Sequence, residues 1–338
     1  MSVSRFEGVD WRKIVSKYQV PDTWRSVWQI VNTLVPYFVL WGVMFWSVGI
    51  SYWLTLLISI PTAGFMVRTF IIFHDCGHGS FFKSKRANTA VGIVTGILVF
   101  TPWYRWWHEH AIHHATAGNL DKRGTGDVDT WTVEEFLAAP YLKRLWYRIV
   151  RHPLVMFTIG AVIVFAVVQR IPLASHGKRE RASIWWTNLA LVVLISGLMA
   201  LVGWKTYLLV QLPVLLFGTS AGVWMFYVQH NYEGSYWERQ DKWDFYKAAM
   251  NGSSLYELPA ILQWFTGNIG FHHIHHLGPR IPNYKLQECL KENPVFQVKS
   301  LNMWSSLKTL RLRLWDEATK QMVGWETVRK YRQRGPAV

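Results

Sequence analysis

Long apolar runs constrain the fold of this chain more strongly than any other feature. Residues 34–50, 51–73, 153–169, 186–204 and 206–229 carry almost no charge, and each run approaches the roughly 20 residues that a helix needs to cross a bilayer. The 338 residues are 51% apolar and only 17% charged, and they include 21 Trp, a residue that settles at membrane interfaces. The length of the runs disfavours a soluble protein with one large core. We predict an all-α integral membrane protein.

The clustering of the histidines is the second feature that constrains the fold and the function of this chain. Ten of the 13 histidines occupy three short segments, at positions 74–78, 108–114 and 272–276. Their i, i+3 and i+4 spacings place imidazoles on one face of a helix. Clustered imidazoles without matching cysteines or carboxylates indicate a nitrogen-rich site for a first-row transition metal, and so many ligands indicate two ions. The predicted ligands are His74, His78, His110, His113, His114, His272, His275 and His276, with His230, at the exit of the last apolar run, as a ninth.

A shared metal site requires all histidine segments to lie on one side of the membrane. The apolar stretch 87–100 is therefore predicted to be interfacial or re-entrant. The run 153–169 has basic residues on both flanks, such as Arg151 and Arg170, and basic flanks mark the cytoplasmic side, so we predict that it does not cross. This leaves four spans in two transmembrane helical hairpins, with a cytosolic helical cap around the metals.

The same reasoning divides the chain into three parts. Residues 1–33 are predicted to form a cytosolic or interfacial N-terminal segment. Residues 34–279 form the membrane domain with its cytosolic cap, and residues 280–338 form a cytosolic tail.

The strong positive charge fits a membrane better than a nucleic acid. The formal charge is +15 and the pI is about 9.8. Cytoplasmic loops that face anionic lipid carry such an excess, so we predict no nucleic-acid partner. A basic face would also suit an acidic electron carrier. The two cysteines, Cys76 and Cys289, provide no disulfide framework.

Three motifs carry a resemblance to a known family. They read HDCGH at 74–78, HAIHH at 110–114 and HHIHH at 272–276. In this order they resemble the three histidine boxes of the membrane fatty acid desaturases. The runs HHATAGNLD at 113–121 and GNIGF at 267–271 resemble the acyl-lipid branch of bacterial type. The resemblance covers about residues 36–284.

The resemblance implies an O2-dependent oxidoreductase with two iron ions (Fe2+/Fe3+) at the cytoplasmic face of the bacterial inner membrane. Such an enzyme removes two hydrogens from adjacent methylenes of a membrane lipid acyl chain. Side-chain acid–base chemistry cannot cleave this unactivated C–H bond, so a metal cofactor must do so. We see no fused haem-binding domain in the sequence and therefore expect electrons from a separate donor such as ferredoxin.

Several polar residues are predicted to support the ligands rather than bind metal. They are Asp75, His108, Asn268 and His273, and Asp127 and Asp129 are further candidates for orienting an imidazole. Two alternatives stay open at this point: a di-iron hydroxylase or ketolase that acts on a carotenoid, sterol or sphingoid lipid, and a metal transporter or sensor. The transporter predicts histidines within the spans, whereas these lie outside them. Regiospecificity and the acyl carrier also stay open.

Overall fold

The computed structural model describes residues 10–334, which are mostly helical. The first described elements are the short helix α1 (Trp11–Ser16) and a long hairpin, α2 (Thr23–Val48) and α3 (Tyr52–His78). Asp22 sets the start of α2 because its side chain accepts a hydrogen bond from the backbone N–H of Arg25 at 3.1 Å. α2 therefore begins well before the predicted span at residue 34. α3 continues past residue 73 and carries the first two histidines of the cluster on its last turn.

A sharp bend follows the first hairpin. α4 (Lys85–Leu98) packs along α3, and α5 (Trp103–Thr116) leaves α4 at an angle of 101°. Phe100 makes the turn in the left-handed region, with φ 61°. Gly92 permits the close packing, since a Cβ there would lie 1.9 Å from a ring carbon of Trp103. The bend brings the second histidine segment, on α5, back beside the end of α3.

The apolar run at 153–169 is broken into short pieces. Before the run the chain forms α6 (Val133–Ala138) and α7 (Tyr141–Val150). The run itself forms α8 (Pro153–Met156), α9 (Ile159–Ala166) and a 3₁₀ turn, Val168–Arg170. Both ends of the run are tied to histidine-bearing segments. Arg151 Nη2 donates to Asn231 Oδ1 at 3.2 Å, next to His230. Arg105 Nη1, on α5, donates to the carbonyl oxygen of Val168 at 2.7 Å.

A second long hairpin consists of α10 (Lys178–Val202) and α11 (Trp204–His230), joined at Gly203 with φ 81°. α11 packs against α3, so the two hairpins form the central layer of the molecule. α10 packs against α5, where the Tyr104 backbone N–H donates to Ser183 Oγ at 3.1 Å. The last residue of α11 is His230, which places this histidine level with the end of α3.

The remaining chain covers the histidine end of the hairpins. Its elements are α12 (Phe245–Gly252), β1 (Leu255–Tyr256), α13 (Ala260–Phe265), α14 (His272–Leu277), α15 (Asn283–Glu292), β2 (Ser300–Leu301), α16 (Met303–Ser306), β3 (Leu314–Asp316), β4 (Gln321–Val323) and α17 (Trp325–Arg334), with 3₁₀ turns at Pro294–Phe296 and Leu307–Arg311. β1 pairs with β2 in parallel, and β3 pairs with β4 antiparallel. The Tyr227 hydroxyl donates to the carbonyl oxygen of Leu312 at 2.7 Å. The segment around Leu312 therefore packs onto the second hairpin.

Several helices are long and apolar enough to cross a membrane. In the part of the chain that the structure describes there are five such segments, or six if α4 and α5 form one bent span: α2, α3, Pro153–Arg170, α10 and α11 are the five. Large apolar side chains on their outer faces are exposed, including Trp46, Trp53 and Leu201, as expected of lipid-facing helices. The predicted count of four spans, their hairpin order in the membrane and the division at 33 and 279 stay predictions.

Candidate metal centre

Nine histidines converge into two adjoining groups. Within each group the potential ligand nitrogens all lie within 4.8 Å of one another. The first group is His74, His78, His110, His114 and His275, and the second is His113, His230, His272 and His276. These are the nine positions predicted from the sequence.

Each helical H-x-x-H-H motif contributes to both groups. On α5, His110 and His114 belong to the first group and His113 belongs to the second. On α14 the division is reversed, with His272 and His276 in the second group and His275 in the first. Residues at i and i+4 lie on one stripe of a helix, whereas i+3 lies to its side. The motif spacing therefore serves two neighbouring sites from one helix.

The spacing of the ring nitrogens matches that of ligands around a metal ion. Two nitrogens bound at about 2.1 Å and about 90° apart are separated by about 3.0 Å. The Nε2–Nε2 distances are 3.0 to 3.2 Å along the chains His78–His110–His114–His275 and His113–His230–His272–His276. This geometry fits nitrogen ligands that share an ion.

The protonation of two rings in the second group also indicates a site for a cation. His113 Nδ1 donates to Asp127 Oδ1 at 2.5 Å, and His230 Nδ1 donates to the Gly252 carbonyl oxygen at 3.2 Å. In neutral rings both protons are therefore on Nδ1, and both Nε2 atoms carry bare lone pairs. These two Nε2 atoms face each other at 3.2 Å. Two lone pairs at this distance repel, and a cation between them removes the repulsion.

Burial favours the neutral form of the three imidazoles that α14 contributes. Seven of the nine are buried, and His78 and His110 are partly exposed. On α14, desolvation by burial lowers the pKa of His272, His275 and His276 well below the usual value for histidine, and the neighbouring imidazoles lower it further. Neutral imidazole is the form that binds metals. The donor set suits a first-row transition metal such as iron.

An aromatic wall lies one helical turn from the histidines, toward the long apolar helices. Trp106 stacks on His110 with ring centroids 4.3 Å apart. Phe226 contacts His113 and His230 at 5.2 and 5.1 Å. Each of these aromatic residues precedes a histidine of its own helix by four positions, so it lies on the same stripe. The side of the site that faces the apolar helices is thus apolar.

Comparison with known proteins decides the family. The family model described as Fatty acid desaturase matches residues 51–306, a range that contains all nine histidines. The chain belongs to this family. A fatty acid desaturase of Bacillus subtilis (strain 168) is 46% identical to it over 318 residues, which cover 94% of this chain and 90% of the relative. The protein is accordingly a fatty acid desaturase, an oxidoreductase, and this outcome favours desaturation over the hydroxylase and ketolase alternatives.

Two cyanobacterial relatives support the acyl-lipid branch. The sn-1 oleoyl-lipid 12-desaturase of Synechocystis sp. is 28% identical over 270 residues, covering 72% of this chain and 71% of the relative. The sn-1 acyl-lipid omega-3 desaturase (ferredoxin) of the same organism is 27% identical over 237 residues, covering 65% of this chain and 62% of the relative. The predicted fatty acid desaturase family is confirmed.

The desaturase places the four predicted supporting residues differently. Asp75 Oδ1 lies 3.2 Å from His74 Nδ1, next to the first group. His273 Nε2 instead donates to the Phe296 carbonyl oxygen at 3.1 Å. His108 turns outward and is 54% exposed, with its Nδ1 3.7 Å from Glu180 Oε1.

Asn268 reaches the site only indirectly. It sits in a left-handed turn with φ 59°, and its Nδ2 donates to the Asn283 carbonyl oxygen at 3.2 Å. The Asn283 backbone N–H and Nδ2 donate in turn to Asp75 Oδ2 at 2.7 and 2.8 Å. Asn283 could not be identified from the sequence, because 208 positions separate it from Asp75 and no local pattern connects them. Of the two other candidates, Asp127 orients His113, whereas Asp129 accepts from Trp131 Nε1 at 3.0 Å.

Proposed function

We propose that this desaturase introduces a double bond into a fatty acyl chain of a membrane lipid, with O2 as co-substrate and two iron ions held by the nine histidines. The observation that carries the proposal is the pair of adjoining imidazole groups with an aromatic wall on one side. An acyl chain that approaches through the bilayer would meet this apolar wall first.

The reaction consumes two electrons and two protons. One O2 and the two hydrogens of adjacent methylenes leave as two waters, and the methylenes become a double bond. When bound, iron supplies the oxidising chemistry that no side chain provides. Asp75 and Asp127 hold the Nδ1 protons of His74 and His113, so that Nε2 of each ring is free to bind metal. The wall of Trp106 and Phe226 packs against the acyl chain and keeps water from the reacting carbons.

A glycerolipid is the proposed acyl carrier and ferredoxin the proposed donor. Both follow from the names of relatives, an sn-1 oleoyl-lipid 12-desaturase and an sn-1 acyl-lipid omega-3 desaturase (ferredoxin). The two electrons then arrive one at a time from two reduced ferredoxins.

We further propose four spans, with the site on the cytoplasmic face of a bacterial inner membrane. The contacts of Arg151 with Asn231 and of Arg105 with Val168 support this, since they hold both ends of the 153–170 segment near the histidines. A segment held at both ends on one side of the bilayer does not cross. The basic residues around it favour the cytoplasmic side.

Lipid mass spectrometry of a host that lacks desaturases tests the reaction. Expression of the chain should yield fatty acids lighter by two hydrogen atoms, and derivatised fragments will locate the bond. Products heavier by one oxygen would instead establish a hydroxylase.

Two histidine variants test the ligand assignment in the same host. His275→Ala should abolish the product and lower bound iron without preventing membrane insertion. His273→Ala is the matched control on the same helix, and it should keep substantial activity because its ring contacts Phe296 and not the cluster. Full activity of His275→Ala would refute the ligand set, and complete loss in a stably inserted His273→Ala would refute the motif register.

A further inference from the structure

The histidine groups come nearest to the surface along one edge. His78 and His110 are partly exposed, whereas the other seven histidines are buried. His110 lies on α5, whose outer side carries Trp107, 46% exposed, and the exposed Ala111. Inside, Trp106 stacks on His110. This edge of the metal site therefore lies at the surface beside α5.

Basic side chains flank this edge on two sides. α4 begins seven residues after His78, and the start of α10 lies beside α5, where Ser183 Oγ accepts from the Tyr104 backbone N–H at 3.1 Å; both helices begin with cations. The six exposed cations at these two helix starts are Lys83, Lys85, Arg86, Lys178, Arg179 and Arg181. None of them forms an ion pair with a carboxylate of residues 10–334. Their charge is thus available to a partner.

Helix stability does not account for these cations. The N-terminus of a helix carries a partial positive charge, which favours acidic residues there and disfavours basic ones. The first turn of α4 has no acidic residue. In α10 the first turn has Glu180, but this carboxylate accepts from the Gly177 backbone N–H and lies 3.7 Å from His108. Both helix starts therefore add to the positive potential of the six side chains.

We propose that these six cations and Trp107 form a docking surface for the electron donor, an acidic one-electron carrier of the ferredoxin type. The inference rests on the proposed function, because O2-dependent desaturation takes two electrons from outside the chain. Opposite charge steers such encounters and sets their rate. Two relatives are named as ferredoxin-dependent desaturases. Docking here brings the carrier next to His110, at the least buried edge of the metal site.

Binding of a plant-type ferredoxin to the iron-loaded protein in nanodiscs tests the surface. Two charge-reversal variants are compared with the wild type: Lys83→Glu/Lys85→Glu/Arg86→Glu and Lys178→Glu/Arg179→Glu/Arg181→Glu. The matched control reverses three exposed cations of α17, Arg329→Glu/Lys330→Glu/Arg332→Glu. Each test variant should bind ferredoxin about tenfold more weakly, and the control should bind like the wild type. Added salt should weaken ferredoxin binding to the wild type and narrow the difference in affinity between the wild type and the test variants.

Turnover measured in parallel distinguishes a loss of donor docking from damage to the metal site. Dithionite-driven turnover of the test variants should equal that of the wild type, since their metal sites are intact. Unchanged ferredoxin binding in the test variants, or equal weakening in the control, overturns the proposal. Ferredoxin binding that follows the fraction of anionic lipid and not the substitutions assigns the cations to lipid headgroups and also overturns it. Charge-dependent ferredoxin binding without any product refutes the proposed function and leaves the docking surface supported.

Discussion

Asp75→Asn probes how the first histidine group is held, with almost no change in side-chain volume. The Asp75 carboxylate is 1% exposed and accepts three hydrogen bonds. Oδ1 receives the His74 Nδ1 proton at 3.2 Å, and Oδ2 receives the backbone and side-chain N–H groups of Asn283 at 2.7 and 2.8 Å. An asparagine has one acceptor oxygen and one NH2 donor, so it cannot serve both sides.

Either orientation of the new amide is costly. If its oxygen faces Asn283, its NH2 faces His74 Nδ1 and drives the proton to Nε2, which removes the lone pair that would bind metal. If its oxygen faces His74, its NH2 opposes two buried donors, each of which costs about 1–3 kcal/mol when unpaired. We therefore expect iron affinity to fall about 10- to 100-fold, or the free energy of unfolding to fall by about 2–6 kcal/mol.

Iron retention against a chelator and thermal unfolding of the purified protein measure the two effects. Asp129→Asn is the matched control, because Asp129 is exposed and contacts Trp131 and not a histidine. The control should retain iron like the wild type. An Asp75→Asn protein with normal iron retention, stability and product yield would refute the role assigned to the carboxylate.

Two further predictions concern the membrane arrangement. Single cysteines at positions 145 and 178, both exposed, should react with an impermeant thiol reagent from the same side of the membrane; reaction from opposite sides would show that the 153–170 segment crosses. Gly92→Ala should lower the free energy of unfolding by about 1–3 kcal/mol, because its Cβ would lie 1.9 Å from the Trp103 ring. In Gly197→Ala the new Cβ has no neighbour within 4 Å, so thermal unfolding should show little loss; equal melting temperatures for both variants would contradict the packing argument.

Local spacing made eight of the nine histidines predictable. The i, i+3 and i+4 pattern is a property of a single helix, and the lengths of the apolar runs are set by bilayer thickness. The family could be assigned for the same reason, since its motifs are short and contiguous. His230 could be included because it closes an apolar run at the level of the other histidines.

Long-range packing decided the rest. The division of the histidines into two groups depends on how α5 and α14 face each other, and the contact of Asn283 with Asp75 joins positions 208 residues apart. The 101° bend before α5 depends on the fit of Trp103 against Gly92. Sequence periodicity determined which residues of this desaturase are ligand candidates, because it acts within one helix. Tertiary structure decided which of them meet and what orients them, because those contacts exist only once the helices are packed.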